Sequence, residues 1–182
     1  MTELVRQEPS REKSPGKTFE ADFKKSVPSY MYVQRINDMP LAYLRSDIIK
    51  FAPKRPYDFF VFDTYRGKLY CAELKSTKYK SMSFDDIDGE ESENRMIKKH
   101  QLMFLKRLTK FENVIPCLIL NFRDDARDVQ RTYYITINRF LDMTEEIKKQ
   151  SFNEIDLLMH GATVIPGASK RTHWTWDLDA LF

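Results

Sequence analysis

Glycine is scarce in this chain: five in 182 residues. Neither GxxxxGK[ST] nor GxGxxG occurs, so a glycine-rich phosphate loop is excluded. Cysteine is scarcer still. Cys71 and Cys117 sit in separate apolar runs without metal-ligand spacing, and read as small buried thiols. The three histidines, His100, His160 and His173, are too dispersed for a zinc set. No apolar run approaches the length of a membrane span, and the opening residues lack the apolar stretch of a signal peptide. A cytoplasmic protein with no membrane partner is expected. The net charge of +3 is too small to argue nucleic-acid binding by itself.

What is abundant is apolar and aromatic residues, 42% and 13% of the chain, enough for a substantial core. Residues 1–15 are polar and interrupted by Pro9 and Pro15, which predicts a flexible tail before a single domain over 16–182. Phe19, Phe23 and Val27 recur every four residues and predict a helix over 16–27. "YMYVQRI" (30–36) reads as a strand, and 39–56 is mixed in character. "YDFFVFDTYRGKLYCAELKST" reads as two strands joined by a turn at "TYRG". A long helix is expected over 94–111, with a stripe of Ile97, Gln101, Phe104, Leu108 and Phe111. "VIPCLILNF" (114–122) has the continuous apolar character of a central strand. "TYYITI" predicts another strand, "SFNEIDLLMH" a short helix, and "THWTWDL" an edge strand. The order α-β-β-β-α-β-β-α-β implies an α/β fold, a mixed sheet flanked by helices.

"LYCAELKST" (69–77) carries the chemical question. Glu73 and Lys75 are two apart in a strand, hence on one face. If "TYRG" turns symmetrically, positions summing to about 131 oppose each other, and Asp58 lies across from Glu73. A bulge at Gly67 would shift that register by one residue. Two opposed carboxylates need compensation, which a divalent cation provides. Asp63, near the turn, falls on the other face and reads as structural or solvent-exposed. The same acid-x-Lys pattern at Asp22–Lys24 and Glu146–Lys148 falls in helical stretches, where positions two apart diverge. An exposed ion pair is the plainer reading of Glu73 and Lys75. Gln101 is the polar member of its helix stripe: either it faces the charged end of the sheet or the helix is rotated and it meets solvent.

"PYDFFVFD…LYCAELKST" resembles the PD-(D/E)xK nuclease core, the restriction-endonuclease-like fold. "GKTFEADF" before it and "HQLMFLKRL" after it narrow the likeness to RecU-type Holliday-junction resolvases, over roughly residues 16–140. The resemblance implies metal-dependent hydrolysis of DNA phosphodiester bonds, with four-way junctions as a substrate and a homodimer as the assembly. It implies Glu20, Asp58, Glu73, Lys75 and Gln101 as catalytic residues. Mg²⁺, with Mn²⁺ substituting, would be held by Asp58, Glu73 and the Leu74 carbonyl, with Glu20 a further candidate ligand. Lys54, Arg55, Ser76, Thr77, Lys78 and Lys80 would contact DNA. Pro56 stands two positions before Asp58, the stretch between Glu20 and Asp58 is too short for the resolvases' protruding stalk, and the loop after Thr77 is longer and more acidic. These departures bear on junction selectivity, not on phosphodiester chemistry. The competing expectations are a non-catalytic DNA-binding or recombination-accessory protein on the same scaffold, and an α/β interaction module with an incidental ion pair.

Overall fold

The computed structural model describes residues 14–36, 56–179 and 181. Residues 1–13 of the expected tail and 39–55 of the mixed segment fall outside the described residues, while Pro15, placed in the tail, opens α1. In chain order the elements are α1 (Pro15–Ser26), β1 (Met31–Arg35), β2 (Phe59–Asp63), β3 (Lys68–Thr77) and β4 (Met82–Ser83). Next come α2 (Lys99–Leu108), β5 (Val114–Asp124), β6 (Val129–Thr136), α3 (Ile137–Ile147) and β7 (Ser151–Phe152). The chain closes with α4 (Glu154–Met159), β8 (Thr163–Ile165), β9 (Gly167–Ser169) and β10 (Trp174–Trp176).

Strand β5 lies inside a six-stranded sheet of order β1-β2-β3-β5-β6-β8. Its pairing with β3 is parallel, and the other neighbours pair antiparallel. A parallel neighbour needs a crossover, and the segment carrying α2 supplies it. Successive side chains of β5 alternate between two cores. Cys117 and Ile119 join Phe19 and Phe23 of α1, whereas Leu118 and Leu120 join Leu102 and Leu105 of α2 and Phe140 of α3. Burial on both faces explains why this strand reads as an unbroken apolar run. Cys71 and Cys117 are buried free thiols, and burial pushes both thiol pKa values up. Among the described residues no helix is long and apolar enough to cross a membrane.

The hairpin has the expected register, running from Phe59↔Ala72 to Asp63↔Lys68. Thr64–Gly67 make the turn, with Gly67 at φ 64° where a side chain would be strained. Asp63 is fully buried and structural: its carboxylate accepts Tyr65 N–H at 2.9 Å, Arg66 N–H at 3.0 Å and the Arg66 guanidinium at 3.1 Å. Burial pushes that carboxyl up, but these donors outweigh it and hold it below its ordinary value.

Four expectations need correction. The helix expected over 94–111 is α2, which starts only at Lys99 and ends at Leu108. Ile97 is instead extended, bridged to Phe84, with Ile97 N–H on the Ser83 carbonyl at 3.1 Å and Asp85 N–H on the Ile97 carbonyl at 2.9 Å. The helix buries Leu102 and Leu105, while Phe104 and Phe111 are exposed, so the apolar face is turned from the expected stripe. Helix α3 is absent from the expected order, although Ile137, Phe140, Leu141 and Thr144 have helical spacing. The "THWTWDL" segment is not an edge of the main sheet: β10 pairs with β9, and β8 takes the edge beside β6. Finally, "SFNEIDLLMH" is divided between β7 and α4.

The acidic loop explains where α2 begins. Asp85, buried at 3% exposure, accepts Ser92 N–H at 3.1 Å and Lys99 N–H at 3.0 Å, while Glu91 accepts His100 N–H at 3.0 Å. Acids from a preceding loop thereby satisfy first-turn amides and oppose the positive end of the helix dipole. Asp85→Ala strands two amides and is expected to lower stability by about 1–3 kcal/mol. Asp85→Asn, which keeps an acceptor, is expected to lose less; urea unfolding midpoints measure both.

Helix α4 is tied to β6 by Glu154, which takes Arg131 Nε at 2.6 Å, Arg131 Nη2 at 2.8 Å and Tyr133 Oη–H at 2.6 Å. Burial raises the Glu154 pKa, but the Arg131 and Tyr133 donors more than reverse this and leave it below the ordinary 4.5. A lowered carboxylate pKa means stabilisation present above the ordinary value and lost as pH falls through the lowered one. The stability gap between wild type and Glu154→Gln, followed by urea unfolding, is expected to be full near neutrality and to close below the ordinary 4.5.

Candidate active site

A step in the sheet builds the site. Strand β2 begins at Phe59, opposite Ala72, whereas β3 continues to Thr77 with β5 paired alongside it. Asp58 stands at the lip of this step, 5% exposed, and its backbone N–H still reaches the Ala72 carbonyl at 3.1 Å. Its side chain takes over where the ladder stops: Asp58 Oδ2 accepts Leu74 N–H at 2.9 Å. A strand residue's N–H and C=O point toward the same neighbour, so the Leu74 carbonyl faces the Asp58 side as well. A carboxylate thus completes the hydrogen bonding of a strand whose partner has ended.

Glu73 and Lys75 project from the same face as Cys71, toward α2. Glu73 is 2% exposed, and Lys75 Nζ lies 2.8 Å from its Oε1. Gln101 Nε2 donates to the same oxygen, and Gln101 Oε1 accepts Lys98 N–H at 3.1 Å. The amide is spent at both ends: one fixes the first turn of α2, the other fixes Glu73. The buried pair is therefore not the exposed ion pair that is the plainer reading of the sequence.

Asp58, Glu73, Leu74, Lys75 and Gln101 are brought together. Glu20 binds Arg35 of β1, with Arg35 Nε at 2.7 Å and Nη2 at 2.6 Å from its Oε2. Among the described residues no three Asp, Glu, His or Cys side chains gather as a metal-ligand group. Ser76 and Thr77 have structural partners. Ser76 Oγ donates to Asn121 Oδ1 at 2.8 Å and accepts Arg123 Nε at 3.0 Å, while Thr77 Oγ1 accepts Tyr79 N–H at 3.1 Å. Lys78 and Lys80 are exposed just past the end of β3. Lys54 and Arg55 lie outside the described residues. Sequence reasoning missed Arg35 and Asp85, which hold Glu20 and α2; their positions carry no local signal, because each partner is remote in sequence.

No family model matches the chain. It is similar to the SPbeta prophage-derived uncharacterized protein YotM of Bacillus subtilis (strain 168), with 34% identity over 136 residues. That stretch is 74% of this chain and 62% of the relative, so the chain spans less than two thirds of the relative's length.

The Leu74 amide gives a test that needs no activity. Asp58→Asn retains an oxygen for Leu74 N–H and is expected to remain near wild-type stability. Asp58→Ala leaves that amide without its acceptor and is expected to cost about 1–3 kcal/mol in urea unfolding.

Proposed function

We propose that this protein is a metal-dependent DNA endonuclease with a restriction-endonuclease-like core, acting on branched or recombination-intermediate DNA. The observation that carries the reading is the burial of Asp58 and Glu73 at the sheet step, with Lys75 Nζ 2.8 Å from Glu73. Burying two carboxylates carries a desolvation cost, which the half-buried Lys75 beside Glu73 offsets only in part, and buried acids kept at such a cost are candidates for a functional site.

The donor set suits a hard cation. Asp58, Glu73 and the Leu74 carbonyl offer oxygen only, the chemistry that Mg²⁺ prefers, with remaining positions left to water. Mn²⁺ is expected to substitute. When bound, such an ion supplies charge stabilisation at the phosphate and acidifies a coordinated water. The chain's own groups do the rest. Lys75 presents an ammonium held in place by Glu73, suited to orient an attacking water and to stabilise charge developing on the phosphate. Gln101 is a positioning residue, fixing Glu73 from α2. Glu20, engaged with Arg35, is assigned to the helix–sheet contact and not to the ion. Lys78 and Lys80 suit contacts with the DNA backbone, which position without reading sequence. The likeness to a prophage-derived protein is compatible with a phage setting.

The assay compares a four-way junction, a flap and a linear duplex, with Mg²⁺, with Mn²⁺ and with EDTA. Wild type is expected to cleave the branched substrates only with a divalent ion. Lys75→Ala is expected to lower the rate by about 10²–10³-fold while far-UV circular dichroism stays unchanged. Wild type and variant leaving every substrate equally intact with both ions would sink the proposal. Tight junction binding that neither needs nor responds to metal would favour the accessory protein instead.

A further inference from the structure

A second surface lies past the end of the site strand. The chain leaving β3, the β5–β6 turn and α4 enclose an open groove of about 450 Å³. Five cationic side chains line it, Lys78, Lys80, Arg123, Arg127 and Arg131, together with Tyr79. Three acids lie among them, and each is bound to an arginine: Asp125 to Arg123 at 2.7 Å, Glu154 to Arg131 at 2.6 Å and Asp124 to Arg127 at 3.6 Å. These pairs restrain the guanidinium groups, and the lining keeps an excess of two positive charges, five against three. A restrained guanidinium still has donors to offer a phosphate.

Tyr79 is the unusual member. The residue is 68% exposed, with Lys78 Nζ 5.8 Å from the ring centroid. Its backbone is anchored, because Tyr79 N–H donates to Thr77 Oγ1 at 3.1 Å. An exposed aromatic face within a cationic groove joins the two features that bind unpaired nucleic acid: a surface for stacking a base and charge to follow the backbone. Stacked duplex bases present only their edges to a protein. The groove lies at the end of the strand that carries the site. Lys78 follows Lys75 by three positions, and Arg123 donates to Ser76, the residue beside Lys75, at 3.0 Å.

We propose that this groove holds an unpaired DNA strand, with one base stacked on Tyr79 and the adjoining phosphates on Lys78, Lys80 and the three arginines. The inference rests on the nuclease reading for the identity of its ligand. It deepens that reading by specifying substrates with a single-stranded arm next to the cleaved bond.

The test is fluorescence anisotropy of the full chain with labelled oligo(dT) of about 20 nucleotides, run in EDTA so that nothing is cleaved. Wild type is expected to bind oligo(dT) more tightly than a duplex of equal length. Tyr79→Ala, which leaves the charge unchanged, is expected to weaken oligo(dT) binding about 5- to 100-fold and duplex binding little. Lys78→Ala/Lys80→Ala is expected to reduce the salt-dependence slope by about 0.7 per lysine removed. All these side chains are on the surface, and circular dichroism checks that the variants are folded. Unchanged oligo(dT) affinity in Tyr79→Ala, or duplex bound as tightly as the single strand, would overturn the groove proposal. Because this readout contains no divalent ion, groove binding together with failure of the separate Mg²⁺ and Mn²⁺ cleavage assay would count against the nuclease reading alone.

Discussion

The bond from Leu74 N–H to Asp58 Oδ2, 2.9 Å long, is the contact on which the candidate site depends. It exists because β2 stops one residue short of Glu73 while β3 continues. An interior strand cannot leave its amide unsatisfied, and here a carboxylate, not another backbone, answers it. That requirement holds one acid beside the peptide that joins Glu73 to Leu74, and it orients the Leu74 carbonyl to the same side. Hydrogen bonding of the sheet and placement of the acids are one constraint.

The other half of the site is held by α2, and α2 is held by the acidic loop. Asp85 and Glu91 satisfy its first amides, and the bridge between Phe84 and Ile97 fixes where it starts. Starting there places Gln101 in the first turn, from which it reaches Glu73. The long acidic loop is a departure from the resolvase pattern. In this protein it has a structural task, and its charge opposes the helix dipole.

Much of this was legible beforehand. The hairpin register over 59–63 follows from "TYRG" and the alternation around it, whereas Asp58 lies beyond the last paired residue, with its N–H on the Ala72 carbonyl and its carboxylate on Leu74 N–H. The central strand announces itself through an apolar run that only burial on both faces allows. Less legible was whatever rests on contacts between distant residues. The start of α2 is set by Asp85, fourteen residues away, so periodicity alone carried the expected helix too far in both directions. Glu20 sits on the expected helix, but its partner Arg35 belongs to a neighbouring strand, and spacing gives no sign of that.

Local chemistry in the sequence therefore determined the strands, the turn and the face that bears Glu73 and Lys75, since strand alternation and turn geometry are short-range constraints. Tertiary structure decided that this face is buried under α2 and not solvated, that Gln101 meets Glu73, and that Glu20 goes to Arg35. It also gathered Lys78, Tyr79, Arg127 and Arg131 around one groove. Those outcomes depend on which elements pack together, and packing is a property of the whole sheet and its covering helices, not of any window of the chain.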